Sequence, residues 1–113
     1  MSKAPAEFIR VETTERIAFL IFGRPPVNAI NVKVRREILG CLAEANSDQN
    51  IDGIVLIGAH DIFSAGSDIR EFETPQLSPT SVELFRAISA SQKPVVAAIK
   101  GLAFGGGLEL ALA

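Results

Sequence analysis

Apolar residues along this chain change their spacing several times, and each change marks an element. Phe8-Ile9-Arg10-Val11-Glu12 alternates apolar and polar, which predicts a half-buried strand over residues 8–12. Thr13 to Arg16 reads as a turn, and the apolar run 17–22 (Ile-Ala-Phe-Leu-Ile-Phe) follows as a more buried strand, so the two make a hairpin. Gly23-Arg24-Pro25-Pro26 ends it, because two prolines cannot donate to a central ladder. Asn31 is placed to cap a helix over residues 32–46, where Val34, Ile38, Cys41, Leu42 and Ala45 recur at helical spacing. Lys33, Arg36, Glu37 and Glu44 are left for water.

The second half repeats strand and helix. Residues 54–57 (Ile-Val-Leu-Ile) form a short, unbroken apolar run of the kind found in buried parallel strands. Ser78 followed by Pro79 predicts a helix start, with Ser78 as cap and Pro79 in the first helical position, running through Val82, Phe85 and Ile88 until Lys93-Pro94. Residues 95–99 (Val-Val-Ala-Ala-Ile) predict a second buried strand, and a glycine-rich turn leads into a last helix. Strands alternating with helices after an opening hairpin predict an α/β fold in one domain, with no repeat or linker. The chain stops at Leu110-Ala111-Leu112-Ala113, an apolar helix-forming run without a stop signal, which reads as a cut through a helix.

Composition narrows the classes of partner. In 113 residues the apolar fraction is 48%, too high for a disordered chain. The net charge of −2 comes from 11 basic and 13 acidic residues mixed along the sequence, so no basic run exists to follow a nucleic-acid backbone. One cysteine, Cys41, excludes an intrachain disulfide and a cysteine-based zinc site, and its apolar helical neighbours predict burial. No apolar run approaches a membrane span and residues 1–7 lack a secretory signal. A soluble protein of a reducing compartment, the cytoplasm, is the expectation, with no membrane partner and no metal.

The candidate chemistry sits at two strand ends. After residues 54–57 comes Phe63-Ser64-Ala65-Gly66-Ser67-Asp68-Ile69, where Gly66 allows a close approach and Asp68, with Glu71 three residues on, fits a capping box. After residues 95–99 comes Gly105-Gly106-Gly107-Leu108-Glu109, which strips side chains from the start of a helix and exposes its first amides. Glu109 stands about one turn beyond Gly106, and the leucines around it imply a buried setting. Two backbone donors from separate loops with a carboxylate beside them would suit an enolate of a thioester. Singly, each feature has an ordinary explanation: a glycine turn, a helix cap, a solvated glutamate.

Other chemistries fit worse. The glycines lack the Lys-Ser/Thr of a phosphate loop and, with Leu at 110, the spacing of a dinucleotide fingerprint. Ser67 does not lie in a Gly-x-Ser-x-Gly nucleophile elbow, and His60, the only histidine, reads as a loop residue that would have to reach Ser64 or Ser67 to support hydrolysis.

Together these segments resemble the crotonase superfamily of enoyl-CoA hydratases and isomerases. Pro26-Val27-Asn28-Ala29-Ile30, Phe63 to Ile69, Lys93 to Ile99 and Gly101 to Glu109 are similar to its motifs in order and spacing, and the tail Arg70-Glu71-Phe72 and the ending are similar to the N-terminal halves of multifunctional fatty-acid oxidation proteins. The resemblance implies a crotonase-like ββα spiral, of which residues 1–113 would be the N-terminal portion of one domain, cut within the helix starting near 107. It implies an oxyanion hole from the amides of Ser67 and Gly106, and Glu109 as one of two catalytic glutamates. Ala65, Ser67, Asp68, Ile69, Arg70 and Gly106, with Arg24 and Val27 from the first loop, would bind coenzyme A. Ser67 departs from the family's usual alanine there. The acyl-CoA thioester is substrate, and no cofactor is expected. The second glutamate and the oligomerising helices would lie beyond Ala113, so the chain alone is expected to be inactive and the full-length form a homo-oligomer or part of a multifunctional chain. The alternative is a non-catalytic acyl-CoA-binding or assembly module of the same fold.

Overall fold

A computed structural model describes residues 6–60, 62–64, 66, 68, 77–103 and 105–113. Its elements are β1 (Ile9–Thr14), β2 (Ile17–Phe22), α1 (Val32–Ser47), β3 (Gly53–Gly58), α2 (Ser81–Ser89), β4 (Val95–Ala98) and α3 (Gly106–Leu112). The strands form one mixed sheet in the order β1-β2-β3-β4, antiparallel between β1 and β2 and parallel thereafter. The α/β reading therefore holds.

The hairpin turns on two residues rather than four. Thr14 pairs with Ile17, and Glu15 and Arg16 both take positive φ, 50° and 70°, which matches the right-handed twist of the strands they join. Along β2 the burial alternates, with Ala18, Leu20 and Phe22 in the core. On α1 the expected stripe of Val34, Ile38, Leu42 and Ala45 is buried, and Asn31 caps the helix by accepting from the Val34 amide at 2.9 Å. Ile54 and Leu56 of β3, Leu84 and Ile88 of α2 and Leu110 of α3 complete the core. Burying each such side chain contributes about 1.5–3 kcal/mol.

Four expectations are corrected, and one charged residue that no expectation covered is buried. Arg35 of α1 is 1% exposed, and its guanidinium donates to the Pro79 carbonyl at 2.6 Å and, at a longer 3.4 Å, to that of Leu77. Glu37 is not simply turned to water: its carboxylate accepts from the amides of Glu7, Phe8 and Ile9 and secures the start of β1. Helix α2 starts after Thr80, whose hydroxyl accepts from the Glu83 amide at 3.1 Å, while the Ser78 hydroxyl goes to the Glu83 carboxylate. Among the described residues strand β4 is the last of the sheet, and with Val96 58% exposed it is not the buried strand expected. Cys41 is half-buried against the core rather than within it.

No helix among the described residues is long and apolar enough to cross a membrane.

Candidate active site

The loop after β3 is folded back on its own strand. The ring of Phe63 is fully buried and meets Phe22 edge-on, with centroids 5.2 Å apart at 88°. Gly58 permits this return, since a Cβ there would lie 2.6 Å from the Phe63 carbonyl oxygen. The fold-back exposes a problem common to buried loops, namely carbonyls without partners. Asn28 solves it. Its side-chain amide donates to the carbonyls of Ala59 (2.9 Å) and Ile62 (3.1 Å), and its Oδ1 accepts from the Arg24 amide at 2.9 Å. Asn28 itself sits in the left-handed region, φ 53°, and is 1% exposed.

Ser64 joins three segments. Its hydroxyl donates to the Asn28 carbonyl at 2.8 Å and accepts from the Gly66 amide at 3.1 Å. The amides of Phe63 and Ser64 both donate to the Leu102 carbonyl, at 3.0 and 3.1 Å, and Ser64 bridges Ala103 in parallel. The two loops that the sequence singled out are thus hydrogen-bonded to each other. Gly107 then packs directly on Ser64, and no side chain would fit at 107.

Around this junction the first loop is tied down by charge. Arg24 and Asp68 form an ion pair at 2.8 Å, their side chains 15% and 8% exposed, and Arg24 also donates to the Ala29 carbonyl and lies 5.7 Å over the Phe8 ring. The Ile30 amide donates to the Gly66 carbonyl, and the Asp68 amide to the Ile30 carbonyl. Arg24 and Asp68, both named as coenzyme A ligands, are brought together, with the guanidinium committed to bracing the loop. Val27 beside them is partly exposed.

The third part is α3. Gly105 precedes it with φ 50° and ψ −122°, and its carbonyl accepts from the Glu109 amide at 3.0 Å. As first helical residue, Gly106 presents its N–H ahead of the helix's own hydrogen-bond ladder. Glu109 is exposed, which corrects the buried setting inferred from its leucine neighbours. The reason is that α3 packs through Gly107 and Leu110, leaving Leu108, Glu109 and Leu112 on faces that no described residue covers. Glu109 borders an open groove of about 420 Å³ between α2 and α3, with Val82, Phe85, Arg86, Ser89 and Leu112.

Ala65, Ser67, Ile69 and Arg70, and the capping partner Glu71, lie outside the described residues. Asn28 and Ser64 were not singled out as the pins of the site, although an asparagine amid Val27, Ala29 and Ile30 is the signal of a buried polar residue that needs partners. Ser64 is fully buried with its hydroxyl committed to Asn28, which removes it as a nucleophile for His60. No group of three or more His, Cys, Asp or Glu among the described residues could hold a metal ion.

The profile of the enoyl-CoA hydratase/isomerase family matches residues 12–113, which takes in the pinned loops and α3. The chain belongs to that family. Within the crotonase superfamily, it is 45% identical over 104 residues to the peroxisomal bifunctional enzyme of Danio rerio, covering 91% of this chain and 14% of that protein. It is 45% identical to the peroxisomal bifunctional enzyme of Homo sapiens over 108 residues, 95% of this chain and 15% of the relative. A Bacillus subtilis (strain 168) protein named "Probable enoyl-CoA hydratase" is 35% identical over 93% of this chain and 43% of its own length. Among solved structures, an enoyl-CoA hydratase/isomerase from Pseudoalteromonas atlantica T6c superposes with a TM-score of 0.79 at 30% identity, over 90% of this chain and 42% of that one. The chain thus spans less than half the length of these relatives. What it shares with them is a portion of the crotonase fold.

Proposed function

We propose that the protein to which this chain belongs hydrates 2-trans-enoyl-CoA, or shifts 3-enoyl-CoA to 2-enoyl-CoA, through an enolate held in an oxyanion hole. The observation that carries the reading is the Ser64 junction. It ties the loop of Gly66 to the loop leading into Gly106, which supports a reading in which donors from the two loops serve one thioester oxygen.

In this reading the amides of Ser67 and Gly106 hold the carbonyl oxygen. As water adds at the β-carbon, negative charge grows there and fixed dipoles stabilise it; one such donor is worth about 3–4 kcal/mol of barrier. Glu109, one turn beyond Gly106, handles the water proton together with a second glutamate supplied from beyond Ala113. With a carboxylate on one side only, the same hole serves isomerisation. Ala65, Asp68, Ile69, Arg70 and Val27 line the coenzyme A side, and Arg24 acts there through its hold on Asp68. The thioester is itself the substrate, and the chemistry calls for no further cofactor. The full-length form is a homo-oligomer or a multifunctional chain. For the compartment, the names of the zebrafish and human relatives favour the peroxisome over the cytoplasm.

The test is loss of enone absorbance when the full-length protein meets crotonyl-CoA. Turnover supports the proposal. Tight acyl-CoA binding with neither hydration nor isomerisation would instead establish the non-catalytic module.

A further inference from the structure

A fully buried arginine is costly unless its donors are occupied, and an apolar side chain would fill the same space at less expense in desolvation. Arg35 of α1 is such a residue, and its guanidinium reaches the backbone carbonyls of Leu77 and Pro79. The next residue, Thr80, is the cap of α2. The fixed guanidinium fork therefore grips the chain at the point where α2 begins. That helix is nine residues long and buries only Leu84 and Ile88 fully, so the anchoring of its first turn largely decides where it lies. Its outer face, with Val82, Phe85 and Arg86, is one wall of the groove whose other wall carries Glu109 and Leu112.

We infer that Arg35 is a positioning residue that sets α2, and through it the width of the apolar groove beside Glu109, and so governs which acyl chains the site accepts. The inference rests on the hydratase/isomerase reading. An acyl tail leaving a thioester held near Gly106 and Glu109 meets Phe85, Val82 and Leu112, and its length decides how far it depends on them. Arg35 touches no substrate, and its influence passes through the Leu77 and Pro79 carbonyls.

The experiment compares the full-length protein with its Arg35→Lys and Arg35→Met variants. Turnover of crotonyl-CoA and of 2-trans-decenoyl-CoA is measured, together with hydrogen exchange of the α2 amides. The expected result is a loss of kcat/KM for the decenoyl substrate roughly tenfold greater than for crotonyl-CoA. The loss should lie in KM, with faster exchange in Ser81–Ser89 and unchanged exchange in β2 and β3, and it should be smaller for Lys than for Met. Equal losses for the two substrates, unchanged α2 exchange, or failure of both variants to fold would overturn the inference. A wild-type protein that turns over neither substrate defeats the hydratase reading instead, and exchange in α2 still reports whether Arg35 places that helix.

Discussion

Gly107 lies so close to Ser64 that no side chain fits between them: a methyl group at 107 would stand 2.6 Å from the Ser64 carbonyl oxygen and 2.7 Å from its Cβ. Both neighbours are fixed, since the Ser64 amide and hydroxyl are already bonded to Leu102 and Asn28. Gly107→Ala should therefore push α3 away from the loop rather than compress it. The cost expected is about 1–3 kcal/mol, the range for overpacking a tight contact. Urea unfolding measures it, and a stability equal to wild type would show that the contact is looser than described.

Asn28 carries a separate prediction. Asn28→Ala removes the donors that satisfy the Ala59 and Ile62 carbonyls and the acceptor of the Arg24 amide. Leaving a buried polar group unpaired costs about 1–3 kcal/mol, and several are left here. Loss at the upper end of that range is expected, larger than for Val27→Ala next door, which is partly exposed. Thermal unfolding of the two variants side by side checks the ranking.

Arg16 and Asp52 give a pH dependence. Arg16 donates to both Asp52 carboxylate oxygens, at 2.6 and 3.0 Å, and to the Gln49 carbonyl, linking the hairpin turn to the start of β3. The hydrogen bond from Arg16, aided by its charge, holds the Asp52 carboxyl below its ordinary value, and the same pair raises Arg16. A depressed folded value means that the stabilisation is complete above the unfolded carboxyl value of about 3.9 and disappears as pH falls through the folded one. Wild type should thus melt above Asp52→Asn at neutral pH, with the gap closing in acid. The pair is exposed, so the gap should be small and shrink with salt. A gap that widens in acid would contradict the assignment.

The residues also show which parts of this architecture can be read from sequence. Strand β2, the α1 stripe and the Asn31 cap were legible because local periodicity and local capping dictate them. Arg35 and Glu37 were not, because a helical pattern assigns charges to water, whereas their partners, Pro79 and the start of β1, lie far along the chain. Ser78-Pro79 suggested a helix start two residues early, because Thr80 supplies an equally good cap and has the Glu83 amide in reach. Strand β4 looks buried by composition, and only the strand order shows that it ends the sheet among the described residues. At the candidate site the glycines at 105–107 and Asp68 stood out, while the pins that align them, Asn28 and Ser64, act through tertiary hydrogen bonds that no local pattern encodes.

The most direct measurement is crotonyl-CoA hydration by the full-length protein carrying Glu109→Gln, with binding of the same thioester followed in parallel. Glu109 is exposed on α3 among the described residues, so the substitution should leave the fold intact. Removal of a general acid–base group should lower kcat by roughly 100- to 10,000-fold while binding is retained. Hydration at the wild-type rate would contradict a role for Glu109 in the chemistry and, with it, the reading of the paired loops as a hydratase site.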